Sequence, residues 1–337
     1  MKIRLLNFLC CPLDQSELQL IDESYDSDGD VYSGFLVSKG GKKYPIRNGI
    51  PRFVDDDPEA KSVISFGDEW NYFNFDDFES NWLTHTIKNT FGTVDFFNRK
   101  LVVDCGAGSG MQTKWIHNAG AEYVIALEMS HAVDDVISRN LRGLKNIDIV
   151  QCSIENPPIK KNSINGVVIC HNVIQHTSSV ENTARSLWDI VGTGEFVFNC
   201  YPKNDKGIIR KLRLSHYYFL RWLLTKLSFK SLLLYSKVFS ILRFFPLLGL
   251  ILEKSLFMVR GNVPEGPNWF YRAYKAGVLN TFDAYGSHKY QHLKSNSEIT
   301  ELMQSLVPKP VEIKNFNKYF SRPQPIGIAL RLIKEKI

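Results

Sequence analysis

The chain has 337 residues, with 41 Lys and Arg against 35 Asp and Glu and a formal net charge of +6. At 44% hydrophobic and 23% charged it has a globular composition, which excludes disorder as the main state. Its 22 Gly and 14 Pro follow no repeat, which excludes collagen-like and solenoid architectures, and the length predicts about two domains.

The six cysteines, Cys10, Cys11, Cys105, Cys152, Cys170 and Cys200, sit mostly inside apolar runs, and adjacent Cys10-Cys11 is poor disulfide geometry. Met1 to Arg4 leads into only a short apolar stretch with no small-residue cleavage site. The expectation is a reducing compartment and a cytoplasmic protein. No uncharged apolar run reaches the roughly 18 residues of a membrane span.

Residues 1–57 read as a small β-rich segment, with strands at 18–21, 31–38 and 44–46 and turns at 26–30 and 40–41. Asp55-Asp56-Asp57-Pro58 marks its boundary. Residues 58–97 are aromatic and mixed, and Phe66-Gly67-Asp68-Glu69-Trp70 opens a helical segment. From 98 to 202 strands at 100–104, 123–128, 147–151, 166–170 and 195–200 alternate with helices near 112–118, 133–141 and 180–191. That alternation predicts an α/β fold, a mostly parallel sheet with helices on both faces. Residues 203–277 interrupt it as a basic, apolar helical insert. Residues 278–337 return with a helix at 297–306 and strands at 311–316 and 326–332, which suit an antiparallel edge.

The chemistry is concentrated in Asp104-Cys105-Gly106-Ala107-Gly108-Ser109-Gly110. Glycines at alternate positions let the backbone approach a bulky ligand while the chain turns into a helix. A dinucleotide fingerprint needs its third glycine at Met111, and a P-loop needs Gly-Lys-Ser/Thr. The acid ending the first strand disfavours a pyrophosphate and suits a cationic or zwitterionic ligand. A second acid, Glu128, ends the next strand, where a carboxylate can accept both ribose hydroxyls of an adenosine; Met129 follows it and can cover the adenine face.

Val103 to Gly110 together with Ala126-Leu127-Glu128 resembles the class I S-adenosylmethionine-dependent methyltransferases. The resemblance covers roughly 98–202 and 278–337 and implies a seven-stranded, mostly parallel sheet with S-adenosyl-L-methionine across the carboxyl ends of the first strands. It implies that Asp104, Gly106, Ala107, Gly108 and Gly110 hold the methionine part and Glu128 the ribose. Ser153 and Ile154 then lie beside the adenine, and Cys170-His171-Asn172 floor the transfer cavity. Two departures, Ser153 for the family's Asp and Ile164-Asn165 for its Phe-Asp, imply weaker cofactor binding.

Cys11-Pro12-Leu13-Asp14 and Tyr44 to Pro51 look like the small zinc-ribbon activators of tRNA and protein methyltransferases. Asp14 replaces that family's second cysteine, and Val37 and Gly40 stand where its later pair falls. Cys10, Cys11 and Asp14 are too few for a four-ligand site, so no metal is expected. The segment reads as a degenerate ribbon that packs on the core and forms part of the active-site wall.

Two groups are candidates for the reaction. His171 and His176 follow the fourth core strand at the cofactor edge and are the candidate proton acceptors. Asp283, Tyr285, His288, Tyr290 and His292 lie in one dense stretch that resembles the Phe-Asp…Tyr-Gln-His run of ribbon-bearing methyltransferases. Lining the acceptor site and packing the insert onto the core stay open as their roles.

Between Lys203 and Arg260 twelve basic residues face only Asp205 and Glu253, net +10, which leaves −4 for the rest of the chain. Arg221, Lys226 and Lys230 recur at near-helical spacing among Leu, Phe, Tyr and Trp, so two or three helices are expected. A packed cap and an anionic membrane surface on the inner face both fit residues 203–260. The clustering of aromatics with Leu and Ile speaks against nucleic acid. The reading is a methyltransferase acting on a small-molecule, glycan or lipid-linked acceptor, through oxygen or nitrogen rather than carbon. The rival is a non-catalytic methyltransferase-like module that binds a membrane or a partner enzyme.

Overall fold

Asp26 accepts the backbone N–H groups of Asp28 at 2.9 Å and Asp30 at 3.0 Å, which reverses the chain and starts a meander. Strands β1 (Leu18–Tyr25), β2 (Val31–Ser38), β3 (Lys43–Arg47) and β4 (Ile50–Pro51) form an antiparallel sheet in that order. The computed structural model describes residues 1–54, 61–73, 78–203, 207–261, 263, 266–286, 290–315 and 328–335. The predicted boundary at 57 therefore lies outside the described residues.

Val31 and Leu36 of β2, with Ile46 of β3, join Leu5 and Leu9 in one core with Val103, Ile125 and Leu127 of the large sheet. The chain after β4 runs beside the edge of that sheet. Phe53 N–H donates to the Gln151 carbonyl at 2.8 Å, and Arg52 grips both oxygens of Asp134 at 2.6 and 3.1 Å. Cys10 and Cys11 turn their thiols to Gln15 and Tyr44, at 3.5 and 3.2 Å.

Helix α1 (Lys61–Tyr72) is followed by α2 (Glu79–Asn81), a π-helical stretch at Trp82–Lys88 and α3 (Asn89–Phe91). The α/β alternation then begins: β5 (Leu101–Cys105), α4 (Met111–Asn118), β6 (Tyr123–Glu128), α5 (Val136–Asn140), β7 (Ile147–Gln151), β8 (Gly166–Cys170), α6 (Val180–Ile190) and β9 (Gly194–Cys200). Their aliphatic runs are buried on both faces, as parallel strands require. The chain closes through α11 (Asn296–Gln304), β10 (Glu312–Asn315) and β11 (Ile328–Lys334). The seven-stranded order is β10-β11-β9-β8-β5-β6-β7, with β10 and β11 antiparallel. Chain order reverses between β5 and β8, which opens a crevice at their carboxyl ends.

Among the described residues, 203–260 hold three helices, within the two or three expected, α7 (Ile208–Leu224), α8 (Phe229–Leu242) and α9 (Pro246–Lys254), and α10 (Trp269–Tyr285) follows. Helix α10 runs straight through the boundary expected at 277. Gly277 is a crossing point, not a stop: a Cβ there would lie 2.9 Å from Ser240 Oγ of α8. Tyr217, Leu220, Leu232, Val278 and Phe282 give α7, α8 and α10 their own core. Arg221 belongs to it as well, 8% exposed and donating to the Ala284 carbonyl at 2.9 Å, so it does not share a solvated face with Lys226 and Lys230. Arg221→Ala is expected to destabilise the insert by about 1–3 kcal/mol, the cost of a lost charged hydrogen bond and its packing, readable as an earlier unfolding transition. Among the described residues no helix is long and apolar enough to cross a membrane.

Candidate active site

The loop after β5 turns on glycine. Gly106, Gly108 and Gly110 have φ of +83°, +59° and +77°, left-handed values that a side chain resists. Gly106 and Ala107 donate to the Leu127 carbonyl at 2.8 and 2.9 Å. Glu128 braces the turn, taking the Gly108 N–H at 2.8 Å on one oxygen and the Ser130 N–H at 2.8 Å on the other. Asp104 lies beneath, accepting the Thr113 hydroxyl at 2.6 Å. Burial chiefly pushes its carboxyl up to about 6, Glu128 adds to this, and the Thr113 bond opposes it.

A cavity of about 940 Å³ opens beside this loop. Gly106, Ala107 and Gly108 form one wall, and Glu69 and Trp70 of α1 with Trp82 form another. His171 after β8 and Tyr201 after β9 close the end of the sheet. The insert supplies Arg213, Asn280 and Asp283. None of the lining residues comes from the β1–β4 segment, so that segment packs on the core and does not form the wall expected of it.

Of the residues assigned to the cofactor by resemblance, Gly106, Ala107 and Gly108 line the cavity. Asp104 and Glu128 sit behind them as braces, and Gly110 begins α4. Met129 is at the surface, Ser153 accepts the Glu155 N–H at 3.2 Å, and Ile154 and Cys170 are in the core. The reason is α1, which lies across this edge. A Cβ on Gly67 would fall 2.2 Å from the His131 ring, and one on Gly108 would fall 3.0 Å from the Trp70 indole. Asn165 precedes β8, at the end of the sheet opposite the loop, and accepts the Thr193 N–H at 2.8 Å. Asn165 does not line the cavity.

His171 reaches the cavity. Asn172 and Asn199 exchange hydrogen bonds of 2.6 and 2.5 Å and fix the chain beside it. Both its ring nitrogens are buried without a hydrogen-bond partner among the described residues. Burial pushes its pKa down to about 4, so it is neutral at neutral pH and a weak proton acceptor there. His176 does not line the cavity. Its ring packs edge-on to Phe66 and Tyr201, and its Nδ1 lies 3.2 Å from the Tyr290 carbonyl.

Of the four described residues among the five expected at the acceptor site, only Asp283 lines the cavity. Tyr285 is buried in the insert with its hydroxyl on the Leu256 carbonyl. His292 places Nε2 3.1 Å from the Thr177 carbonyl and stacks with Tyr290 at 6.0 Å. Tyr285 thus packs inside the insert, Tyr290 and His292 tie the chain after it to residues 175–177 of the core, and His288 lies outside the described residues.

Sequence reasoning missed Glu69 and Tyr201. Tyr201 donates to Asp283 at 2.9 Å. Glu69 is fully buried, and burial first, then the Asp283 charge, holds its carboxyl well above the usual range. The Phe66 to Trp70 run signalled a helix, but nothing local showed that its acid turns inward toward residue 283.

Residues 103–198 match the family model described as "Methyltransferase domain". That span carries the glycine loop, Glu128 and the parallel half of the sheet, and the seven-stranded sheet has the class I methyltransferase fold. Among solved structures it is similar to an S-adenosylmethionine-dependent methyltransferase from Mesorhizobium loti, at 20% identity over 32% of this chain and 49% of that one, with a TM-score of 0.29. It is also similar to one from Aquifex aeolicus, at 17% identity over 45% of this chain and 73% of that one, with a TM-score of 0.31. The chain thus spans about half the length of the Mesorhizobium protein, and at such scores these likenesses carry no weight for function. No curated protein matches the sequence.

Proposed function

We propose that the protein transfers a methyl group from S-adenosylmethionine to a polar acceptor bound in the 940 Å³ cavity. The acceptor is a small molecule, a glycan or a lipid-linked compound, methylated on oxygen or nitrogen. The observation that carries this is one cavity bounded by the glycine loop on one side and by Glu69, Tyr201 and Asp283 on the other. The cofactor supplies an activated sulfonium methyl, so this chain's own work is positioning and proton removal. Gly106, Ala107 and Gly108 present a backbone cradle whose largest side chain is one methyl group. Asp283, held by Tyr201, takes the acceptor's proton, while Glu69, whose carboxyl burial shifts toward the protonated form, can donate a hydrogen bond to the same acceptor. Neutral His171 offers one donor and one acceptor for orientation.

Calorimetry with S-adenosylmethionine tests the first half, and a cofactor-dependent gain of one methylene mass in a treated cell extract tests the second. No binding at millimolar ligand would overturn the proposal. The packing of Trp70 on Gly108 favours a second reading, a methyltransferase-like module without activity that binds a membrane or a partner enzyme, and the same calorimetry separates the two. If the cofactor binds, α1 must lift from Gly108. S-adenosylhomocysteine is then expected to change the tryptophan fluorescence, and Trp70→Phe to remove most of that change.

A further inference from the structure

The insert leaves a large apolar surface uncovered, and its aromatic part is contiguous. Phe244 follows α8, and Trp269 and Phe270 begin α10. Their ring centroids lie 6.3 Å (Phe244–Trp269), 5.4 Å (Phe244–Phe270) and 5.2 Å (Trp269–Phe270) apart. Trp269 is 52% exposed and Phe270 69%. Beside Phe244 in the chain, Phe245 and Leu247 are 57% and 73% exposed. Burying such side chains in water's place is what folding normally achieves, and monomers rarely leave a patch of this kind bare.

The surroundings are cationic. Residues 207–286 hold twelve Lys and Arg against Glu253, Glu265 and Asp283, net +9. Asp283 faces the cavity and Glu253 is paired with Arg260 at 2.8 Å, so neither offsets the exposed Arg210, Lys211, Lys226, Lys230 and Lys254. Lysine and aromatic also meet directly: Lys226 Nζ lies 3.4 Å over the exposed Trp222 ring, and Lys275 Nζ lies 5.3 Å over Tyr271. Aromatic rings beside cations suit the boundary between acyl chains and anionic headgroups. A protein partner core would be depleted in lysine.

We infer that the protein docks peripherally on anionic lipid bilayers, inserting the Phe244–Trp269–Phe270 platform at one end of α8 and α10 while the exposed Lys and Arg along the insert, Lys226 and Lys230 at the other end of α8, meet the headgroups. Helix α10 joins this platform to the cavity. Trp269 and Asp283 stand at positions fourteen residues apart on it, roughly 20 Å at 1.5 Å per residue. An acceptor anchored in the bilayer would therefore have its reactive group within reach of the cavity. The docking surface itself does not depend on methyl transfer.

The test is cosedimentation of the full chain with phosphatidylcholine vesicles, with and without phosphatidylglycerol. Binding is expected only to the anionic vesicles, weaker as salt rises. The double substitution Trp269→Ser, Phe270→Ser is expected to weaken it by about tenfold or more, and Lys226→Glu with Lys230→Glu to do likewise, each keeping S-adenosylhomocysteine binding. Leu247→Ser, at the most exposed of these positions, provides an independent variant should the double substitution unfold. Wild-type protein that ignores anionic vesicles at low salt overturns the inference, as do aromatic variants that bind unchanged. Self-association removed by the same variants would assign the platform to a second copy of the chain instead. Vesicle binding without any S-adenosylmethionine binding would overturn methyl transfer and leave the docking surface standing.

Discussion

Gly108→Val is expected to abolish binding of S-adenosylmethionine and S-adenosylhomocysteine, a loss of about a hundredfold or more in affinity, in line with several kcal/mol of lost contact. Two effects combine. The residue has φ +59°, which a β-branched side chain adopts only under strain of about 1–2 kcal/mol. The new side chain would also enter the wall of the cavity and press on the Trp70 indole, 3.0 Å from the Cβ position. The two causes can be separated. If the loss comes from occupying ligand space, adding Trp70→Ala to Gly108→Val restores nothing. If it comes from a displaced Trp70, that addition restores binding. Wild-type affinity in Gly108→Val would mean that the loop holds no ligand. Titration calorimetry reads all of these outcomes.

The sheet was legible because period and composition decide it locally. The runs at 123–128, 147–151 and 166–170 contain Val, Ile and Leu in the lengths of buried parallel strands, and they form strands over those same residues. The loop was legible because its three glycines are demanded by backbone conformation, not by a partner elsewhere in the chain. The insert was harder. Residue 277 marks the insert's end in the sequence pattern, yet Gly277 sits inside α10, where α8 crosses it. Arg221 reads as one of three solvated cations, yet it caps a carbonyl in the insert's core. Each depends on a contact with a distant segment.

The same limit governs the site. Asp104 and Glu128 were found from their positions at strand ends, but sequence could not show that α1 covers the loop and leaves them as braces. His176 and His292 stood in the right neighbourhood, and their side chains go to backbone carbonyls at Tyr290 and Thr177. Glu69 is separated by more than 200 residues from Asp283, and only the closure of the insert over α1 brings their charges together.

Asp283→Asn is expected to lower methyl transfer by on the order of 10²–10³-fold with cofactor affinity unchanged, the range for losing a positioned proton acceptor. An amide at this position can still accept from Tyr201 but cannot take a proton. Glu69→Gln is expected to behave differently. Its folded pKa stands above the ordinary 4.5, so the stability its protonated form allows is fully present below about that pH and is lost as pH rises through the folded value. The amide never ionises, so the variant should melt a few degrees higher than wild type at neutral and alkaline pH and converge with it near pH 4. Asp104, raised to about 6, contributes a similar decline in both proteins and cancels in the difference. Thermal melts across pH, set beside activity, decide the matter. A Glu69→Gln protein that melts like wild type at every pH would show that the buried acid is not protonated in the fold. An Asp283→Asn protein with full activity would show that the proton leaves by another group.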